Sequence, residues 1–272
     1  MTAGPSLPAD AVRPVAVITG SARGIGAAVA VGLASAGWDL VLGDVEGPDA
    51  IAGLPYALSG EADRHAVASR CADLGARVVT ATCDVRDGDQ VARLVARVPG
   101  IRAAVAVAGI MGADGPAWEQ SAADLDRDLS VNLHGVANLA RAAVPLLMDA
   151  PEPSRCRFVA VVSSAAERGL PLLASYVASK HAALGYVRAL AADLAPSGVT
   201  ANAVLPGSTR TALLDRTAEV YGLASPEGFV ANQRLGRLIE PHEIAGAVVW
   251  LCSDAASATT GMAMSVDGGF TG

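Results

Sequence analysis

Short apolar runs and longer helical patterns alternate along most of the chain. Val15-Ala16-Val17-Ile18 is a compact, β-branched apolar run, the signature of a strand buried on both faces. A glycine-rich turn follows. The stretch from Ala27 to Ala36 then carries a helical pattern that Gly37 ends. The alternation repeats, with strands expected at Trp38 to Gly43, Arg77 to Thr82, Ala103 to Val107, Arg157 to Val162, Val199 to Leu205 and Ala263 to Val266. Helices are expected at Gln90 to Arg97, Leu125 to Met148, Leu172 to Leu194 and Glu243 to Ser253. The Leu125 to Met148 run should carry an irregularity near Asn132 and a bend at Pro145. Strand–helix alternation without internal repeats predicts an α/β fold. We expect one doubly wound parallel sheet of about seven strands with helices on both faces.

Such a sheet binds ligands beyond the carboxyl ends of its strands. Gly20, Asp44, Asp84, Gly109, Ser163 and Pro206 all fall at such ends. The first turn, Thr19-Gly20-Ser21-Ala22-Arg23-Gly24-Ile25-Gly26, stands between a strand and a helix. That context suits a dinucleotide loop. Its glycines let the backbone approach a pyrophosphate, and the helix N-terminus offers free N–H groups to the anion. Asp44 lies 18 residues beyond Gly26, close to the roughly 20 expected of the acid that takes the adenosine ribose. A carboxylate there accepts from both ribose hydroxyls and repels a 2′-phosphate, which argues for NAD over NADP. Arg23 is a counter-signal, because a base in this loop suits a phosphate.

Tyr176 and Lys180 are four residues apart in a helical stretch, hence on one face. A cation beside a phenol favours the phenolate, which can take a proton from an alcohol. The same spacing arises by chance on solvated helices, so its meaning depends on the hydride carrier the first turn implies. Ser163 and Ser164 lie 13 and 12 residues before Tyr176. Side chains of a strand alternate between faces, so only one of the two can face a site there.

Composition narrows the picture. The chain has 272 residues, 52% of them hydrophobic and 17% charged, enough for a large core in one domain. A net charge of −7 opposes nucleic acid or an anionic membrane as the main partner. Cys71, Cys83, Cys156 and Cys252 have no metal-site spacing, and the four histidines form no cluster, so no metal is expected. Reduced, packed thiols fit a cytoplasmic protein. Residues 1–13 read as a loose Pro/Ala-rich tail ahead of one domain at 14–272. No apolar run is long enough for a membrane span.

Taken together, TGSARGIG at 19–26, Asp84-Val85, Ala108-Gly109, Asn132, Tyr176/Lys180 and Pro206-Gly207 resemble the short-chain dehydrogenase/reductase family, core single-domain type. The match runs from about Pro14 to the C-terminus. The resemblance implies that Tyr176 is the acid/base. Lys180 lowers its pKa and holds the nicotinamide ribose. A serine ahead of the tyrosine binds the substrate oxygen, and the family spacing favours Ser163 over Ser164. Asn132 supports a proton relay from Lys180. For the cofactor it implies contacts from Gly20, Ser21, Arg23, Gly24, Ile25, Gly26, Asp44, Asp84, Val85, Ala108 and Gly109. Further contacts come from the turn at Pro206, Gly207, Thr209 and Thr211, and from Tyr176 and Lys180 themselves. Homotetramers built through the long central helices and the last strand are the family expectation.

Two departures matter. Where the fourth strand usually ends in Asn-Asn-Ala-Gly, this chain has Ala106-Val107-Ala108-Gly109. The stretch after Asp44 also carries an insert, about residues 46–60, whose Ile51, Leu54, Tyr56 and Leu58 are too apolar for a freely solvated loop. It is expected to fold over the adenosine half of the cofactor. Both departures resemble the mycofactocin-associated branch, in which NAD is held without exchange and mycofactocin serves as electron acceptor. Arg168-Gly169-Leu170-Pro171 and the segment 206–211 resemble that branch too. The expected activity is oxidation of a hydrophobic alcohol, with residues 212–235 as a lid. The rivals are an NADPH-type carbonyl or 3-ketoacyl reductase, a non-catalytic NAD-binding regulator, and an epimerase or dehydratase of the same branch.

Overall fold

A computed structural model describes residues 13–47 and 49–272. The expected tail at 1–12 and Pro48 of the insert lie outside the described residues. Arg13 belongs to the domain rather than to a tail: its guanidinium donates to Gly37 O at 2.9 Å and lies 3.6 Å from the buried carboxylate of Asp39.

Among the described residues seven strands form one sheet: β1 (Val15–Thr19), β2 (Asp39–Asp44), β3 (Val78–Thr82), β4 (Ala103–Ala106), β5 (Arg157–Val161), β6 (Thr200–Pro206) and β7 (Ala263–Val266). Every pairing is parallel, in the order β3-β2-β1-β4-β5-β6-β7. The direction of winding reverses between β1 and β4, and that reversal opens the crevice where such sheets bind ligands.

Among the described residues there are eight α-helices: α1 (Gly24–Ser35), α2 (Glu61–Asp73), α3 (Gly88–Val95), α4 (Ala122–Asn132), α5 (His134–Met148), α6 (Ala174–Leu194), α7 (Ala212–Val220) and α8 (Pro241–Cys252); all but α7 belong to the layers on the two faces. The strands show why both faces need covering. In β1, Val15 and Val17 point into one core with Leu94, Leu139, Phe158 and Leu184, beneath α3, α5 and α6. Ala16 and Ile18 point into the other, with Leu33, Leu42, Ile244 and Val248, beneath α1 and α8. Alternating side chains of one strand thus feed two separate cores, which is why the strand sequences are apolar throughout.

The expected strands match the observed ones to within a residue or so at each end. Two helical features differ. The long run at 125–148 is two helices, with Leu133 between them at φ −105°, ψ −57°. The predicted irregularity near Asn132 is therefore a true junction, while Pro145 stands inside α5 without ending it. Helix α2 had no counterpart in the sequence reading, because its exposed, charged face hides a short apolar stripe of Val67 and Cys71. No helix among the described residues is long and apolar enough to cross a membrane.

Phe158 is fully buried at the centre of β5. Phe158→Ala should cost about 3–5 kcal/mol of stability. Urea unfolding should show a lower midpoint with little change in slope; an unchanged midpoint would show that β5 does not anchor this core.

Candidate active site

A cleft of about 830 Å³ opens at the carboxyl ends of the strands. Its floor is the turn between β1 and α1. Gly20 and Gly24 take φ of +67° and +52°, which side-chain-bearing residues rarely adopt. The packing is as restrictive as the dihedrals. A Cβ on Gly26 would sit 1.9 Å from Gly20 O, and one on Gly20 would sit 2.5 Å from the backbone of Ala108. The turn is therefore pressed against the end of β4, and α1 starts at Gly24 with its first N–H groups toward the cleft. Ser21 lies outside the lining: fully buried, it donates to Gly43 O at 3.2 Å and ties the turn to β2.

Asp44, at the end of β2, lines the cleft. Its carboxylate accepts from the N–H groups of Ala22 and Val45, each at 2.8 Å. Burial raises its pKa, and these two bonds with the Ser59 hydroxyl work against the rise. Arg23 lines the cleft too, and its guanidinium donates to Ala57 O of the insert at 2.8 Å. Asp84 and Val85 line the cleft beyond β3, with the Asp84 carboxylate engaged by Arg86. Ala108 and Gly109 follow β4. Pro206 and Gly207 open the turn after β6, which is braced by Thr209 donating to Gly207 O and Thr211 donating to Thr209 O.

Tyr176 and Lys180 face the cleft from the first turns of α6. Lys180 Nζ is 5.6 Å from the centre of the Tyr176 ring. Both are nearly inaccessible, and burial decides their titration. It pushes the phenol up to about 12, with the Ser163 hydroxyl opposing, and pulls the ammonium down to about 8, with the Asp128 carboxylate opposing. The Tyr176 phenol is thus raised by burial, with the Ser163 hydroxyl opposing, where the cation four residues on was expected to lower it. Both serines line the cleft, and Ser163 is the one that faces Tyr176; its Oγ also accepts from Ala165 N at 3.0 Å.

Asn132 stands behind the cleft wall and is not part of its lining. Its Oδ1 accepts from Ile110 N at 2.9 Å, and its Nδ2 donates to Ile110 O at 2.9 Å and to Ser179 Oγ at 2.8 Å. It joins the loop after β4 to the helix that carries Tyr176 and Lys180. Ala106, in place of the usual asparagine, packs into the core beneath α5 and α6. The ladder between β1 and β4 runs on past it, with Val107 N–H donating to Thr19 O at 3.2 Å.

The insert reaches further than expected. Ser59 meets Asp44, at the adenosine end, but the Tyr56 hydroxyl accepts from Met111 N at 3.0 Å beside the Tyr176 end. Ile51 is buried, and Leu54 and Leu58 pack on the same core. Tyr56, Met111 and Asp128 are site residues the sequence reading did not identify. Asp128 had a signal available, since it lies one helical turn before Asn132. Tyr56 stood out only as an apolar residue of the insert, and nothing local joins it to Met111, because their meeting spans 55 residues of chain. The segment 212–235 forms α7 and a 3₁₀ stretch, Pro226–Asn232, and closes one wall with Leu213, Tyr221 and Phe229.

The cleft fits a dinucleotide. It has the volume of a ligand site. It holds a loop that admits no Cβ at Gly20 or Gly26, the first residues of α1, and the buried carboxylate of Asp44 at the end of β2.

Comparison with known proteins agrees. A family model described as enoyl-(acyl carrier protein) reductase matches residues 20–271. Cis-4-hydroxycyclohexanecarboxylate dehydrogenase of Sinomonas cyclohexanicum is 36% identical over 264 residues, covering 94% of this chain and 96% of that one. A 2,5-dichloro-2,5-cyclohexadiene-1,4-diol dehydrogenase of Sphingobium indicum is 30% identical, covering 94% and 96%. The crystal structure of carveol dehydrogenase from Mycobacterium avium in complex with NAD superposes with a TM-score of 0.88 at 30% identity, covering 97% of this chain and 99% of that one. The chain belongs to the short-chain dehydrogenase/reductase family. The three similar proteins just described are named as dehydrogenases, while a polyketide-synthase putative ketoacyl reductase of Streptomyces virginiae is 34% identical, covering 94% of this chain and 96% of that one.

Asn132→Ala would strip Ile110 of both its buried partners, at about 1–3 kcal/mol for each unsatisfied group. Thermal and urea midpoints should both fall. Unchanged midpoints would mean that the loop after β4 is held by something else.

Proposed function

We propose that this protein is an NAD-dependent dehydrogenase of an apolar, cyclic alcohol. The observation that carries the reading is one continuous cleft. It runs from Asp44 and the glycine turn at one end to Tyr176, Ser163 and an apolar wall of Met111, Leu173, Leu213 and Tyr221 at the other. That wall suits a compact hydrocarbon ring, and three similar proteins are named for six-membered-ring alcohols. Asp44 favours NAD, since its buried carboxylate would lie against a 2′-phosphate.

Bound NAD supplies the hydride acceptor. The residues of the chain handle the proton and the geometry. Tyr176, as phenolate, takes the hydroxyl proton of the alcohol. Ser163 donates to the same oxygen as carbonyl character develops, which holds the carbinol carbon in place. Lys180 keeps a positive charge beside the phenolate. Asn132 fixes the helix and loop that carry these groups. The glycine turn, Thr209 and Thr211 hold the pyrophosphate and nicotinamide ends.

The insert supports a finer reading. Pinned by Arg23, Tyr56 and Ser59 along the cleft, it would have to open for the cofactor to leave. We therefore propose a tightly held NAD with mycofactocin as the external electron acceptor. We also propose assembly as a homotetramer through α5, α6 and β7.

Tyr176→Phe should lower turnover of cyclic secondary alcohols by about 10³-fold or more while NAD binding persists. Unchanged turnover would remove Tyr176 from the mechanism, and faster reaction with NADP than with NAD would overturn the assignment made from Asp44. Purified protein should carry NAD through dialysis and turn over only when an artificial electron acceptor is added. Free loss of NAD, with ordinary exchange, would rule out the coupled reading.

A further inference from the structure

Asp128 is fully buried on α4, yet no part of the chemistry described so far uses it. Its Oδ1 accepts from Gly112 N at 2.7 Å, while its Oδ2 is buried with no hydrogen-bond partner among the described residues. A buried carboxylate with a free oxygen is costly unless it serves something. Asp128 and Asn132 are one helical turn apart and grip the same loop two residues apart, at Gly112 and Ile110. The other end of that loop touches the catalytic pair. A Cβ on Gly109 would lie 3.0 Å from Lys180 Nζ and 3.2 Å from Asn132 Oδ1.

The charges around Asp128 narrow its role. On its own helix, Arg127 pairs with Asp124 at 3.0 Å and donates to Gly112 O at 3.1 Å, and its charge also acts on Asp128, after that of Lys180. From the insert comes the Tyr56 phenol, and from α6 come Tyr176 and Lys180. Among the described residues no carboxylate lies within ion-pair distance of Lys180. Asp128 is the carboxylate whose charge acts on it, through an interior where such charges are poorly screened.

We propose that Asp128 is the buried counter-ion of Lys180, a positioning residue that keeps the ammonium charged beside Tyr176. The inference rests on the dehydrogenase reading for its purpose, but not for its test. Lys180 must be an ammonium to stabilise a phenolate, and burial works against that charge. A fixed negative charge behind the loop offsets the burial. It does not touch the substrate, and so does not compete with Ser163 or Tyr176 for it. The sign is definite: taking away a negative charge lets a neighbouring ammonium lose its proton at lower pH.

The sequence makes the measurement direct, because Lys180 is the single lysine of the chain. Protein labelled with ¹³C at the lysine ε-carbon should give one side-chain lysine signal, whose pH titration reports Lys180 alone. Asp128→Asn keeps the volume and an acceptor for Gly112 N–H while removing the charge. Its midpoint should fall by about one pH unit or more relative to the native protein. Asp128→Ser, smaller and also neutral, provides the same comparison should the amide not fold. With cyclohexanol as probe alcohol, kcat should drop about twofold at pH 7 and about fivefold at pH 8, as the charged fraction of Lys180 falls, with KM little changed. An unchanged midpoint in a folded neutral variant overturns the proposal. So does a shift seen with Asp128→Leu but not with Asp128→Asn, which would trace the effect to the Gly112 contact. A Tyr176→Phe variant that keeps full turnover would sink the dehydrogenase reading while leaving the Lys180 titration, and this inference, to be judged separately.

Discussion

The structure of the site depends on one buried amide. Beyond Ala106 the fourth strand has left the sheet, and the backbone of Ile110 would be buried without partners. Asn132 supplies both, and its third hydrogen bond goes to Ser179 on the helix that presents Tyr176 and Lys180. Ser179 in turn donates to Tyr176 O. A single side chain thus sets the distance between the loop after β4 and the helix bearing Tyr176 and Lys180. It does so from behind the wall, so the cleft keeps its room. The helix junction at Leu133 follows from the same demand, because α4 must end where its last residue can reach that loop.

The site is a contest between burial and charge. Excluding water raises the Tyr176 phenol and lowers the Lys180 ammonium, and both shifts oppose the ionised pair that the proposed proton transfer would use. The groups that resist are fixed ones: the Ser163 hydroxyl for the phenol and the Asp128 carboxylate for the ammonium. Asp128 is itself raised to about 6 by burial, so it remains ionised near neutral pH. Preorganised charge of this kind costs little at the moment of reaction, because no solvent has to reorganise around it.

The insert after β2 changes what the cleft is open to. It spends Arg23 on the carbonyl of Ala57, places Ser59 on Asp44 and lays Tyr56 against Met111. A loop that might have been a decoration of the adenosine end therefore spans the length of the cleft. Its apolar residues Ile51, Leu54 and Leu58 pack onto the main core, which explains why a segment without regular secondary structure is so hydrophobic.

The sequence by itself determined the sheet, its two-sided burial and the residues at the strand ends. These follow from local rules: apolar runs for parallel strands, glycines where a turn must be tight, and a four-residue spacing on a helix. Tyr176, Lys180, Asp44 and the 19–26 turn were legible for that reason. Asn132 was legible only through resemblance, since a lone asparagine has no local signature. Tertiary structure alone decided which serine faces Tyr176, that Arg23 serves the insert, and that Ser21 and Asn132 stand behind the cleft. It also decided that Tyr56, Met111 and Asp128 converge on the catalytic end. Each of those facts depends on segments far apart in the chain meeting in a dry interior, and the strength of a charge there depends on the burial around it, which no local pattern of residues encodes.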